Sequence, residues 1–433
     1  MSRKLNCQSI ITAFMMVFFF IGPFSTTKWS IFFVVGTFAF SASVLLFILP
    51  FIRHVSFCRE SLYSSLFYLG AFLVSIFSII INREYLLGEY LNSIIIGRFF
   101  TLIITVFVII LLNIWLNSVD DRRLKMCLKI GFFTCCVFVF FAYWQFIGNM
   151  FGIEFFVDTR DWMHSVPPSI RSIVPKRLTS LAEEPNFLAP ILIEFIILTA
   201  LFIKGNLKKY LAFTLGVFAV LLSFSGGAIG NLILIFLAFG FLSLARSIST
   251  RVFKARDILF VVLTFIFLSF LIAFGDVLFE FIRVKLERES SGSSARSQFI
   301  SSLIELIANS STMELLFGHG IASLSVLTDF GLSNEDYLFR ISNIFYLDIF
   351  WEAGLIGLVF VLCFFGILFK RGLRLYMYNK YIEAGLLLTI HLAITSFYRS
   401  EYLSLHFIWV LHMILVCYKL GYNQFYNDKL KAK

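Results

Sequence analysis

Apolar runs of roughly twenty residues recur from one end of this chain to the other, and no other feature limits its fold so sharply. A helix of about that length crosses the ~30 Å hydrocarbon core of a bilayer and satisfies its own backbone N–H and C=O groups where water cannot. The runs lie at about 7–24, 29–50, 62–81, 93–116, 127–149, 186–203, 209–225, 228–245, 258–281, 343–369, 384–399 and 402–420. Only a Ser/Gly break around Ser223–Gly230 separates the seventh from the eighth. Charged residues make up 14% of the chain, against about 25% in an ordinary soluble domain, and the mean hydropathy is +0.90. Phe fills 57 of 433 positions, a load that lipid-facing surfaces accept and a close-packed aqueous core would not. The pattern predicts an all-α polytopic membrane protein with about twelve transmembrane helices, a single integral membrane domain over residues 1–433.

The net charge of +10 invites a nucleic-acid reading, but its distribution argues against one. Most Lys and Arg fall in short clusters between spans, such as Arg122, Arg123, Lys125 and Lys129, or Lys204, Lys208 and Lys209. An excess of Lys and Arg in short loops marks the cytoplasmic side, so both termini are expected in the cytoplasm and no nucleic acid is expected as a partner. The seven cysteines lie in or beside spans and form neither a disulfide framework nor a metal-ligand pattern; no cofactor is implied. The first run has no small-residue cleavage site behind it and reads as a retained helix.

Two segments interrupt this economy, at about 150–185 and 282–342, and the same counting places both on the outer side. Loops this long in a compact protein are usually functional. The first holds Pro167, Pro168, Pro175 and Pro185. The second contains a predicted helix near 295–309, capped by Ser294, with Phe299, Ile300, Leu303, Ile304, Leu306 and Ile307 on one wide face. Such a helix is expected to lie along the membrane surface.

The densest chemistry lies just ahead of the sixth span, where Arg171, Lys176, Arg177, Glu183, Glu184, Pro185 and Asn186 crowd together. Pro fits a first helical turn, and the free N–H groups and positive dipole of that helix end suit an anion. A solvated loop with an acidic cap is the plainer account. The second loop offers Arg283, Lys285, Arg288 and Arg296, then His319 between two glycines. The planar guanidinium fork matches phosphate, so two Arg-bearing loops converging above a membrane groove would hold a lipid-linked diphosphate; ordinary outer-surface charge is the alternative. His319 reads equally as a base or a loop residue, whereas His54, His164, His391, His406 and His412 are scattered without ligand spacing and read as structural. Arg98, Glu194, Asp348, Glu352 and Arg399 fall within spans, where a charge costs about 2.5–3.5 kcal/mol and must face a bundle interior or a wet cavity. Arg98 and Arg399, near outer ends, could join the anion site. Asp348 and Glu352, four apart, share a helical face.

Four stretches follow one another in order: Arg177 to Asn186 (RLTSLAEEPN), Ser225 to Ala228 (SGGA), Ala295 to Phe299 (ARSQF) followed by Leu316 to Gly320 (LFGHG), and Asn343 through Trp351 to Gly357 (WEAGLIG). Together they make the chain resemble the O-antigen polymerase and ligase family of bacterial envelopes. The resemblance covers about residues 95–420. It implies a metal-independent, inverting glycosyltransferase of the bacterial inner membrane, acting on the periplasmic face with undecaprenyl-diphosphate-linked oligosaccharide as donor. Carried over, Arg177 and Arg296 bind the donor diphosphate, assisted by Arg98 and Arg399. Glu184 is then the catalytic base with His319 as runner-up, and Asn186 and Asn343 position sugar or loop. Membrane lipid and a chain-length regulator protein are the implied partners. Ligases typically show a His-Asn pair where this chain reads Ser342-Asn343, which favours a polymerase. A ligase, an exporter of lipid-linked sugars and a non-catalytic scaffold are the rival expectations.

Overall fold

The computed structural model describes residues 2–50, 56–82, 95–160, 176–250, 295–324, 342–400 and 402–431. All regular structure among them is helical: α1 (Ser2–Ile21), α2 (Ser30–Ile48), α3 (Arg59–Ile81), α4 (Ile95–Ser118), α5 (Asp121–Met150), α6 (Pro185–Phe202), α7 (Asn206–Leu222), α8 (Gly226–Thr250), α9 (Ala295–Ala308), α10 (Thr312–Phe317), α11 (Phe345–Leu375), α12 (Lys380–Thr395) and α13 (Leu405–Lys431). Nine of the described helices are long and apolar enough to cross a membrane, so the protein is a multi-pass membrane protein. The expected spans at 209–225 and 384–399 coincide with α7 and α12, which at 17 and 16 residues are shorter than those nine. The expected span at 258–281 lies outside the described residues.

Many hydroxyl side chains inside the helices are satisfied locally, which lets them sit in an apolar medium. Thr12, Thr37, Ser43, Thr105, Thr199 and Thr389 each donate to the carbonyl four residues back, at 2.7–2.9 Å.

The described residues form two compact units. One comprises Met1–Ser25, Trp29–Thr134 and Gln298–Lys433. Its core is aromatic: Tyr68 of α3 stacks on Phe407 of α13 and meets Phe364 of α11, while Tyr402 stacks on Phe72 and on Phe345. Polar clamps tie neighbouring helices, as when Asn113 of α4 accepts from Ser61 at 2.5 Å and donates to Ser65 at 3.2 Å on α3. The helix expected near 295–309 is α9. It buries Phe299 and Leu303 against Leu324 and Trp351, with Leu306 and Ile307 partly buried. Its packed face is narrower than the apolar pattern implies, since Ile304 is 54% exposed.

The second unit comprises Thr26–Lys28 and Cys135–Ser297. The Ser/Gly break between the seventh and eighth runs is real, with α7 ending at Leu222 and α8 starting at Gly226. Glu184 is the N-cap of α6 and Pro185 its first residue.

Candidate functional site

In the first unit, charge gathers at the N-terminal ends of two helices and the segment ahead of a third. Asp348 and Glu352, in the first two turns of α11, are each only 2% exposed. Glu352 Oε1 accepts from the Tyr402 hydroxyl at 2.6 Å and from the Ala322 backbone N–H at 2.9 Å. Asp348 Oδ1 accepts from the Ser342 N–H at 2.8 Å. Arg98, in the first turn of α4, holds its guanidinium 5.8 Å from the centre of the Tyr402 ring, within electrostatic reach of both carboxylates. Ser342 and Asn343 shape the entry to α11: Asn343 takes a left-handed φ of 62°, which Asn tolerates better than most residues. Arg399 is 5% exposed at the end of α12.

The same helix is broken. Gly354 has φ 63° and ψ −163° in the middle of α11, a conformation essentially reserved for glycine. Its break frees the carbonyls of Trp351 and Glu352, and the backbone after α10 fills in. The N–H of His319 donates to Trp351 O at 2.8 Å and that of Gly320 to Glu352 O at 2.9 Å. The Gly318 carbonyl accepts from Asn82 Nδ2 at 3.0 Å, and the Phe317 carbonyl from Ser78 Oγ. The His319 ring stacks on Trp351 at 3.8 Å. Its Nε2 lies 3.1 Å from Ser310 Oγ and its Nδ1 3.6 Å from Glu314 Oε1. Burial lowers the His319 pKa below the ordinary 6.5, with Glu314 pulling the other way, so the ring is neutral at pH 7.

In the second unit, Arg177 closes the end of α7. Its Nε donates to Ser223 O at 3.0 Å and its Nη2 to Phe224 O at 3.1 Å, satisfying carbonyls that a helix end leaves orphaned. Burial pulls the Arg177 pKa down to about 10, Glu184 opposing; the group stays charged at pH 7. Asn186 Oδ1 accepts from Ser225 Oγ at 2.8 Å, joining the start of α6 to the start of α8. Arg160 grips both acids ahead of α6, with Nη1 at 2.9 Å from Glu184 Oε1 and Nη2 at 3.2 Å from Glu183 Oε1; the Glu184 bond raises the Arg160 pKa. Gln145 accepts from the N–H groups of Thr179 and Ser180 at 2.9 and 2.8 Å and donates to Thr179 Oγ1 at 2.8 Å, which fixes the segment after Arg177.

The expected site residues thus fall into two sets, each described within its own unit. Arg177, Glu184 and Asn186 belong to one; Arg98, His319, Asn343 and Arg399 belong to the other. Arg296 lies in the first turn of α9. Its side chain lies outside the described residues, as do Pro167, Pro168, Arg171, Pro175, Arg283, Lys285, Arg288 and the proposed cap Ser294. Of the scattered histidines, His391, His406 and His412 are buried, and His54 and His164 are not described. No group of metal-binding side chains occurs among the described residues. Sequence reasoning missed Arg160, Gln145 and Tyr402. Arg160 and Gln145 sit in no motif. Tyr402 is 50 residues from the Glu352 it binds, so no helical period links them. A lone Tyr beside Arg399 at the head of a span was the only signal.

Neither a model of a known protein family nor a curated protein matches this chain.

Proposed function

We propose that the protein is an O-antigen polymerase-type glycosyltransferase, joining undecaprenyl-diphosphate-linked repeat units on the periplasmic face of the bacterial inner membrane. In this reading the chain has about twelve spans, with both termini cytoplasmic and the segments at 150–185 and 282–342 periplasmic. One observation carries the proposal: the four stretches on which the resemblance rests pair two by two in space. Arg177 and Asn186 of the first reach Ser223, Phe224 and Ser225 around the second, at 2.8–3.1 Å. His319 and Gly320 of the third bond to Trp351 and Glu352 of the fourth, at 2.8 and 2.9 Å. Residues 39 to 47 apart in sequence that bond in this way are more than loop decoration.

The chemistry asks little of the protein. An acceptor hydroxyl attacks the anomeric carbon of the donor, the bond to the diphosphate breaks, lipid diphosphate leaves with the electron pair, and one group takes the hydroxyl proton. Arginines neutralise the growing charge on the leaving group, a task for Arg296 and for the N–H groups that Arg177 does not spend on carbonyls. Of the two candidate bases, His319 is the readier, being neutral and oriented by Ser310 and Glu314, while Glu184 must first leave Arg160.

The exporter remains the second reading, because Asp348 and Glu352 sit buried inside the first unit beside Arg98, as charges in a transport path would. A lipopolysaccharide gel of a deletion strain, with and without the gene restored, separates the classes. Core carrying a single repeat, returning to a ladder on complementation, is the polymerase result. Bare core with polymer held on the carrier is the ligase result, and lipid-linked single units trapped on the cytoplasmic side are the exporter result. Within the polymerase reading, Arg296→Ala abolishes the ladder and Arg296→Lys restores part of it; a full ladder from Arg296→Ala removes that residue from the diphosphate clamp.

A further inference from the structure

We infer that the groove between α1 and α5 binds an anionic phospholipid, with the headgroup at the start of α5 and an acyl chain along its apolar floor. This depends only on the chain spanning a membrane and not on the glycosyl-transfer reading. Two adjoining hollows share Met126 and Lys129. One, of about 480 Å³, is floored by Met16, Val17 and Phe20 of α1 and Met126, Ile130 and Phe133 of α5. The other, of about 530 Å³, is walled by Asp121, Arg122, Lys125, Met126 and Lys129.

Charge runs along this groove in one direction. Arg122, Lys125 and Lys129 occupy the first turns of α5, and Ile130 and Phe133 follow deeper. Their spacing places them on one stripe of the helix. From Arg122 to Phe133 the rise is roughly 16 Å at 1.5 Å per residue, close to half of a ~30 Å hydrocarbon core, and so about the depth of one leaflet. Lys129, deepest of the three cations, can run its apolar stem along Met126 and lift its ammonium to the headgroup level.

The cations are also uncommitted. Asp121 in the wall accepts from the neutral Asn423 amide at 2.8 Å and keeps its charge, and Asp120 faces Arg123 at 3.6 Å, so three cations meet one acid in this wall. No described carboxylate lies within ion-pairing distance of Arg122, Lys125 or Lys129. The floor is open to the bilayer, with Val17, Phe20, Met126 and Phe133 each 41–59% exposed. Three cations with no ionic partner among the described residues, above an apolar trough of leaflet depth, complement a lipid whose headgroup is net negative. They suit less well a zwitterionic lipid, whose phosphate brings its own cation, or a neutral protein face.

The test is native mass spectrometry of the full-length protein released from nanodiscs of equal phosphatidylglycerol and phosphatidylcholine. The wild type should retain phosphatidylglycerol preferentially, and Arg122→Gln/Lys125→Gln/Lys129→Gln should lose about tenfold of that preference. Lys204→Gln/Lys208→Gln/Lys209→Gln removes the same charge elsewhere and should leave it intact. Equal retention of both lipids by the wild type, an unchanged preference in the groove variant, or an equal loss in the control would each overturn the inference. If the groove variant does not insert, the wild type still decides. Its preference should fall as NaCl rises from about 0.1 to 0.5 M, because a headgroup held by surface cations is screened; no fall overturns the proposal, as does an inorganic phosphate adduct that displaces no lipid.

Discussion

Replacing Gly354 by Ala should undock the segment around His319 while leaving the rest of α11 in place. Two terms add. The φ of 63° with ψ −163° lies where a side chain costs about 1–3 kcal/mol. The new Cβ would also stand 2.4 Å from both the carbonyl carbon and oxygen of Leu316 and 2.6 Å from the N of Gly318, all of it backbone. Side-chain rotation cannot relieve that contact, so the segment has to move. Moving it breaks the His319 and Gly320 bonds to Trp351 and Glu352, at about 1 kcal/mol net each, a cost the wild type meets equally on opening. The shift is therefore the strain relieved, at least about 1–3 kcal/mol, or one to two orders of magnitude in the opening equilibrium. Hydrogen exchange of peptides covering 316–324 in the purified protein reads this directly: protection of the His319 and Gly320 amides should fall by at least about tenfold. Gly366→Ala, in the same helix, meets nothing within 4 Å and should leave it unchanged. Unaltered protection in Gly354→Ala would show that the helix break is not held open by this contact, and the reasoning from it to His319 placement would fail.

Two further outcomes follow from charge and burial. The pKa of His319 is lower in the fold than its ordinary 6.5, so the folded segment binds fewer protons than the undocked one. Its docking is therefore fully present above about pH 6.5 and weakens as pH falls below it; the protection of Gly320, taken relative to the intrinsic exchange rate at each pH, should fall from about pH 7.5 to 5.5 in the wild type and not in His319→Gln. Arg177→Lys keeps the charge but loses the fork that reaches Ser223 and Phe224 together, and should lower the thermal midpoint about as much as Arg177→Met. If Lys proves as stable as Arg, the paired contacts to Ser223 and Phe224 do not hold the end of α7.

The helices were legible because hydropathy and length reveal a span directly. The run at 29–50 became Ser30–Ile48 and that at 93–116 became Ile95–Ser118. Where ends shifted, the cause was polar sequence that is still helical. α5 begins at Asp121, six residues before its apolar run, because Arg122, Lys125 and Lys129 form a stripe and do not interrupt the backbone ladder; α13 continues to Lys431 for the same reason. The break in α11 was invisible. Ala-Gly-Leu-Ile-Gly reads as close helix packing, and only the approach of Gly318 explains why Gly354 leaves the helical region. The shared face of Asp348 and Glu352 followed from spacing, but their partners did not. Ala322, Ser342 and Tyr402 arrive from three separate segments of the chain, and such tertiary pairing carries no local pattern. Arg160 was missed because its meaning lies wholly in the acids it holds.

Those partners change what Arg98 can do. A cation in the first turn of a helix opposes the positive end of the dipole, at about 0.3–1 kcal/mol, so Arg98 needs a reason to be there. Tyr402 offers it the negative face of a ring, and Asp348 and Glu352 lie within electrostatic reach. The two acids beside Arg98 would compete with any incoming diphosphate for its charge. Arg177 differs in that its hydrogen bonds go to neutral carbonyls, with Glu184 acting on its charge. On this reasoning Arg98 is suited to holding Tyr402 and Glu352, and through Ala322 the segment that carries His319. A positioning role predicts that Arg98→Lys perturbs exchange at Ala322 and Gly320, a change that simple loss of a phosphate contact would not produce.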